Sequence, residues 1–214
     1  MTETDTLPVA LAHLVDRDPD FSAALDLIQP LPDRTRPAGF EHLTKIIIEQ
    51  QVSLASADAI WKRMIAAVRP FSPEVLGKFT EEELRAIGLS RQKARYCRAL
   101  ADEILSQRLI LESLHELEDE QVLEQLTRVK GIGRWTAEIY MMACLGRNDI
   151  WPAGDVALQS AMGHLKNHEV RPNIEQMDQL AEPLRPYRTV AARVLWRYYA
   201  DVVQARPQKP VAKE

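Results

Sequence analysis

The sequence is short of several things that would settle its class at once. It has two cysteines, Cys97 and Cys144, far apart and with no Cys-x-x-Cys pair. That is too few for an iron–sulfur cluster on four thiolates, and no zinc-ligand spacing is present. Both cysteines read as small buried hydrophobes. No apolar run approaches the roughly 20 residues that a membrane-spanning helix needs, so no membrane partner is expected. The start, Met-Thr-Glu-Thr-Asp-Thr-Leu-Pro, lacks the basic and apolar regions of a secretory signal, and an intracellular protein is expected. Sustained apolar/polar alternation is missing, as are Asn-Gly and Asp-Gly hairpin turns, which leaves little ground for a sheet.

Net positive charge is missing too: the formal charge is −4 at pH 7. Taken as a total this argues mildly against a nucleic-acid partner, because such binding rests on cations at phosphates. The distribution says otherwise. Arg91-Gln-Lys-Ala-Arg-Tyr-Cys-Arg98 holds cations and no acid, as does Arg128-Val-Lys-Gly-Ile-Gly-Arg134. Arg185, Arg188, Arg193 and Arg197 follow on a stretch without acids, while many acids collect between Asp102 and Glu124. Local sign is what a polyanion meets. On charge alone, solvated helix faces are the better explanation of the same pattern.

What is present reads as helix throughout. Leu43, Ile46 and Ile47, then Ile60, Trp61, Met64, Ile65 and Val68, recur at helical spacing. Glu49-Gln50-Gln51 interrupts the pattern, so one helix ends there and another begins near Ser53; Pro70 and Pro73 close that unit. Thr80 before Glu81-Glu82-Glu83 is a capped start, and Gly88 ends the helix. Further helices are predicted over 91–106, 118–128, 134–145, 156–166, 174–184 and 189–205. Pro8, Pro19, Pro30, Pro32 and Pro37 allow only short helices in the first 38 residues. The tail after Arg206 should fray. The predicted class is all-α: residues 1–38 as short helices and loops on a core of 39–206, and 207–214 as a flexible tail.

The informative stretch is Leu126-Thr-Arg-Val-Lys-Gly-Ile-Gly-Arg-Trp-Thr-Ala-Glu-Ile-Tyr140. One helix runs into Gly131-Ile132-Gly133 and the next starts immediately. Two glycines one residue apart let the backbone turn tightly and approach another molecule. The following helix start presents N–H groups and a positive dipole end. Together these suit one phosphate, a contact that anchors without reading sequence. An ordinary helix–turn–helix corner is the plainer alternative.

Val-Lys-Gly-Ile-Gly-Arg-Trp-Thr-Ala resembles the helix–hairpin–helix of the DNA glycosylase superfamily named for that hairpin and a following Gly/Pro…Asp loop. That loop has its counterpart in Trp151-Pro-Ala-Gly-Asp155. Ile46-Ile-Ile-Glu-Gln-Gln-Val-Ser53 resembles the family's minor-groove wedge, and Gly88-Leu-Ser-Arg-Gln-Lys-Ala94 fits as well. Arg185-Pro-Tyr-Arg-Thr-Val-Ala-Ala-Arg-Val-Leu-Trp196 resembles its late pocket-lining helix. The resemblance runs in order over residues 38–205. It is strongest to the 3-methyladenine DNA glycosylase II branch, in a compact form without the N-terminal β-domain of the larger members. It implies two helical subdomains with the active-site cleft between them.

The resemblance also implies roles. Asp155 would be the catalytic carboxylate; an aspartate before Val156-Ala-Leu-Gln159 is also a good helix N-cap, and both can hold at once. Breaking an N-glycosidic bond builds positive charge on the deoxyribose, which a carboxylate stabilises. Trp135, Tyr187 and, less strongly, Trp151 would stack on the extruded base; Trp61 and Trp196 read as core. Gln51, Val52 and Ser53 would form the wedge. Lys130, Gly131, Ile132, Gly133, Arg134 and Thr136 would hold the DNA strand. Trp135 stands where lyase-competent relatives carry a lysine, which implies base removal without strand cleavage. No cofactor would be required. A structural Na+ or K+ on the backbone carbonyls of Thr127, Val129 and Ile132 fits the family pattern.

The implied activity is monofunctional excision of alkylated purines, of the 3-methyladenine and 7-methylguanine class, from double-stranded DNA by a monomer. In a bacterium it would work in the nucleoid-associated cytoplasm. A non-catalytic helix–hairpin–helix DNA-binding module and a bifunctional glycosylase/lyase are the alternatives.

Overall fold

A computed structural model of the chain describes residues 3–205. In chain order its helices are α1 (Glu3–Arg17), α2 (Asp20–Asp26), α3 (Phe40–Glu49), α4 (Leu54–Ala67), α5 (Pro73–Leu76), α6 (Glu81–Ile87) and α7 (Arg91–Leu105). After a 3-10 segment at Leu111–Glu116 come α8 (Asp119–Thr127), α9 (Arg134–Ala143), α10 (Val156–Leu165) and α11 (Ile174–Ala181). A 3-10 turn at Glu182–Leu184 leads to α12 (Arg188–Tyr198), which runs on as a π turn at Tyr199–Val203. Among the described residues there is no strand, and no helix is long and apolar enough to cross a membrane. The tail after Arg206 lies outside the described residues.

The described residues form two compact units, 34–147 and 3–33 joined with 148–205. The N-terminal helices belong with the C-terminal third.

In the 34–147 unit, α3 is the central element, packed by α4, α7 and α9. Leu43, Ile46 and Ile47 are fully buried along it, each contributing about 1.5–3 kcal/mol through removal from water. The helix boundaries follow local chemistry. Thr80 and Glu83 form a reciprocal capping box at the start of α6, and Gly88 closes that helix at φ 117°. Ser53, Ser72 and Ser90 cap α4, α5 and α7 with their hydroxyls.

In the other unit, α12 packs against α1, α2 and α10. The prolines did not keep α1 short: it runs for 15 residues with Pro8 inside. Pro8 sits close enough to the helix start to remove only a bond near the first turn, and Ala10 and Leu14, one turn apart, are fully buried beyond it. Lys166, just past α10, donates to Asp18 Oδ1 at 2.6 Å and Asp20 Oδ2 at 2.8 Å, joining the end of α10 to the α1–α2 corner. Burial alone would lower this amine, but the two hydrogen-bonded carboxylates outweigh it and raise its pKa.

Cys97 is buried, and burial pushes its thiol up to about 12. Cys144, also expected to be buried, is only partly so, with its thiol pushed up to about 11 by desolvation. Neither is poised to act as a thiolate.

Candidate functional site

The loop before α10 is a compact turn built to present one carboxylate. Ala153 N–H donates to Trp151 O at 2.9 Å, and Asp155 N–H to Pro152 O at 2.9 Å. The buried amide of Gln159 reaches back one turn and donates to Ala153 O at 2.8 Å. Trp151, Pro152 and Ala153 are buried; Gly154 is exposed and Asp155 half-buried.

Asp155 caps α10, its Oδ1 accepting from Leu158 N–H at 2.8 Å. The same oxygen accepts the indole N–H of Trp196 at 3.1 Å. Two donors therefore fix the side-chain rotamer while the helix start supplies a favourable field for negative charge. Trp196, expected in the core with Trp61, proves different from it. Trp61 is buried against Phe71, whereas Trp196 is only partly buried and its polar edge is spent on Asp155. Its apolar neighbours on α12 hid this role. The one signal was that an indole N–H needs a partner.

The aromatic candidates divide. Tyr187, half-buried at the start of α12, has its ring edge-on to His13 with centroids 5.2 Å apart. Trp151 is only 3% exposed and donates its indole N–H to Met177 O at 3.1 Å. That corrects the expectation of a base-facing ring: Trp151 is buried, with its indole N–H on the α11 backbone. Trp135, in the first turn of α9, is half-buried.

Asp149 is a residue that sequence reading passed over. Its carboxylate takes Arg188 Nε at 2.8 Å and Nη2 at 2.9 Å, Arg185 Nη1 at 2.6 Å and the Arg188 backbone N–H at 3.3 Å. It thereby holds both sides of the turn carrying Tyr187. The basic stretch from Arg185 is accordingly engaged within the protein: Arg197 pairs with Asp201, and Arg193 donates to Pro32 O. It is not the open cationic face that the local charge pattern suggested.

In the 34–147 unit the hairpin is formed as expected. Gly131 has φ 98°, a conformation open to glycine, and the ring of Tyr96 lies against it: a Cβ there would fall 2.0 Å from Tyr96 Cγ. Ile132 N–H closes the turn onto Val129 O at 3.0 Å, and the Ile132 side chain is buried. At Gly133 an added Cβ would meet nothing within 4 Å. Lys130, Gly133 and Arg134 are exposed. Arg134 donates to Glu138 at 2.7 Å, so its charge is already partnered. Thr136 departs from expectation: it is 3% exposed, and its hydroxyl accepts from Gln50 at 2.8 Å, so its side chain is not a strand contact.

The wedge loop follows α3. Gln50 leaves the helix in an extended conformation, Gln51 is left-handed at φ 53°, and both Gln51 and Val52 are exposed. Ser53 accepts from Ser56 N–H at 3.2 Å as the N-cap of α4. The three wedge candidates thus stand together at an exposed turn.

Comparisons with known proteins bear on what this arrangement is. The chain is 28% identical to DNA-3-methyladenine glycosylase 1 of Schizosaccharomyces pombe over 96% of its own length and 93% of that protein. The solved 3-methyladenine DNA glycosylase Mag1 of the same yeast, in complex with abasic DNA, superposes with a TM-score of 0.81 at 28% identity, covering 87% of this chain and 94% of that one. A DNA-3-methyladenine glycosidase from Bacillus halodurans gives a TM-score of 0.79 at 32% identity, over 92% of this chain and 91% of that one. The model of the HhH-GPD superfamily of base excision DNA repair proteins matches residues 44–186, most of the helical core and both candidate loops. The chain belongs to that superfamily.

Proposed function

We propose that this protein is a monofunctional DNA glycosylase of base excision repair, hydrolysing the N-glycosidic bond of alkylated purines flipped from duplex DNA. The observation that carries the reading is Asp155: a carboxylate at an exposed glycine loop, on a helix start, with its rotamer fixed by the Trp196 indole. The relatives named for 3-methyladenine support the substrate class.

In this reading the 34–147 unit holds the duplex, the hairpin amides taking a backbone phosphate without reading sequence. The wedge fills the stack that the extruded nucleotide leaves. Tyr187, in the unit that carries Asp155, offers a face to the base; an N-alkylated purine is cationic, which adds roughly 0.5–2 kcal/mol to stacking on an aromatic ring. The C1′–N bond breaks with its electron pair going to the base, which relieves the purine's positive charge. The sugar then carries that charge, and the ionised Asp155 stabilises it. A water oxygen adds to C1′ and its proton passes to Asp155 or to solvent, leaving an abasic site. No step calls for a cofactor. Any structural Na+ or K+ would sit on the backbone carbonyls of Thr127, Val129 and Ile132, of which Val129 O already accepts from Ile132 N–H.

A single duplex bearing one 7-methylguanine tests the reading. Release of the base with an alkali-labile but unbroken strand is expected. An untouched duplex would mean a DNA-holding module. A nicked strand, or an adduct trapped by borohydride, would mean a lyase with an amine nucleophile other than position 135.

A further inference from the structure

The loop from Gln50 to Ser53 contains an unusual backbone. Gln51 is a non-glycine residue in the left-handed region, at φ 53°. Such a conformation is strained for a residue with a Cβ and persists where the surroundings over-determine it. Its neighbour Gln50 supplies the constraint. The Gln50 amide nitrogen donates to Gly131 O at 3.1 Å and to Thr136 Oγ1 at 2.8 Å, partners 81 and 86 residues away. One side chain therefore uses both of its N–H bonds to join the loop to the hairpin turn and to the first turn of α9.

Two more links come from α7. Lys93, 9% exposed, donates its ammonium to Ile48 O at 2.7 Å in the last turn of α3. Three residues on, the ring of Tyr96 lies on Gly131. The base of the exposed loop and the hairpin are thus tied directly to each other and both to one helix. A loop meant only to connect α3 to α4 needs none of this.

We propose that Gln50 is a positioning residue: it sets the Gln51–Val52 tip at a fixed offset from the Gly131–Gly133 hairpin, so that seating the hairpin on a phosphate aims the tip at the base stack. Val52, an exposed apolar side chain at 39%, is the part of the tip suited to enter it. The inference rests on the glycosylase reading above, and it concerns how the stack is opened rather than how the bond is cut.

The test compares two substrates for the full-length protein: 7-methylguanine paired within a duplex, and the same lesion in a one-nucleotide bulge, already out of the stack. Gln50→Ala removes both hydrogen bonds. Gln50→Glu keeps the volume but places a carboxylate, with no N–H, against Gly131 O. Each should slow single-turnover excision from the paired duplex by about tenfold, the scale of one or two lost hydrogen bonds. Each should lower the fluorescence rise of 2-aminopurine placed beside the lesion. On the bulge, excision should stay within about twofold of wild type, because little of that loss remains to be felt. In a background already carrying Gln51→Ala and Val52→Ala, Gln50→Ala should add nothing.

Equal losses on both substrates would mean general damage to the site and would overturn the proposal. So would wild-type rates on both, or a further loss in the tipless background. If wild-type protein itself excises from neither substrate, it is the glycosylase reading that fails, and this inference with it.

Discussion

Trp196 donates its indole N–H to Asp155 Oδ1 at 3.1 Å, joining residues 41 positions apart. The bond places an aromatic side chain of α12 under the control of the loop that starts α10. Its chemistry is separable from its packing. Trp196→Phe keeps an aromatic ring and loses the donor, so Asp155 should retain its cap on Leu158 but lose the orienting indole bond. Excision should slow by about tenfold, with a small change in melting temperature. Asp155→Asn keeps the cap and removes the charge, and should slow excision by about a hundredfold or more on a stable neutral lesion. Single-turnover rates beside melting curves decide both. A Trp196→Phe variant with wild-type rates would leave the indole bond without a part in catalysis.

The two hairpin glycines should behave differently. At Gly133 a methyl meets open space within the protein, so Gly133→Ala should fold normally. Its binding to damaged and undamaged duplexes should weaken alike, because a phosphate contact is sequence-blind. Gly131→Ala would drive a Cβ into the Tyr96 ring from a left-handed backbone, and should lower stability by about 2 kcal/mol or more. Thermal melts with duplex titrations separate the two. Unchanged affinity in a well-folded Gly133→Ala protein would reduce the hairpin to a corner.

Asp149 binds Arg188 in a two-pronged pair and also reaches Arg185. Asp149→Ala would leave the partly buried Arg188 guanidinium without its carboxylate. A loss of about 2 kcal/mol is expected, less than for a fully buried pair. Because the turn carries Tyr187, the KM for lesion DNA should rise alongside. Urea unfolding gives the first quantity and steady-state kinetics the second.

His42 on α3 gives a pH dependence. Burial holds its imidazole below the usual 6.5, with the Arg36 and Lys45 cations acting the same way and the carboxylates of Glu41 and Glu49 opposing them. The unfolded chain therefore takes up this proton more readily than the folded one. The stability at stake is fully present above pH 6.5 and is lost as pH falls from there through the lower folded value. His42→Gln should narrow the difference in melting temperature between pH 7.5 and pH 5. An undiminished difference would assign the acid sensitivity to other groups.

The helical class, most helix starts and stops, the glycine hairpin and the Asp155 loop were all legible in the sequence, because each is set within a few residues. Apolar spacing, a capping side chain or a glycine in a turn acts locally, and Thr80, Gly88, Ser53 and Asp155 all sit where their chemistry puts them. The local reading failed where one residue had two plausible fates. Trp151 and Trp196 are both tryptophans beside apolar residues, and their fates are the reverse of those expected: Trp151 went inside and Trp196 turned its polar edge to Asp155. The arginines from Arg185 looked like an open basic face until Asp149, Asp201 and the Pro32 carbonyl claimed them. Pro8 should have broken α1, and burial of Ala10 and Leu14 carried the helix through. Gln50 is one of two adjacent glutamines, and only the fold shows that it spends its amide on the hairpin while Gln51 stands outside. Hydrogen-bond partners from 26 residues away, as for Trp151 and Met177, to 161, as for Arg193 and Pro32, are chosen by how helices pack, and that choice leaves no periodic trace in the chain.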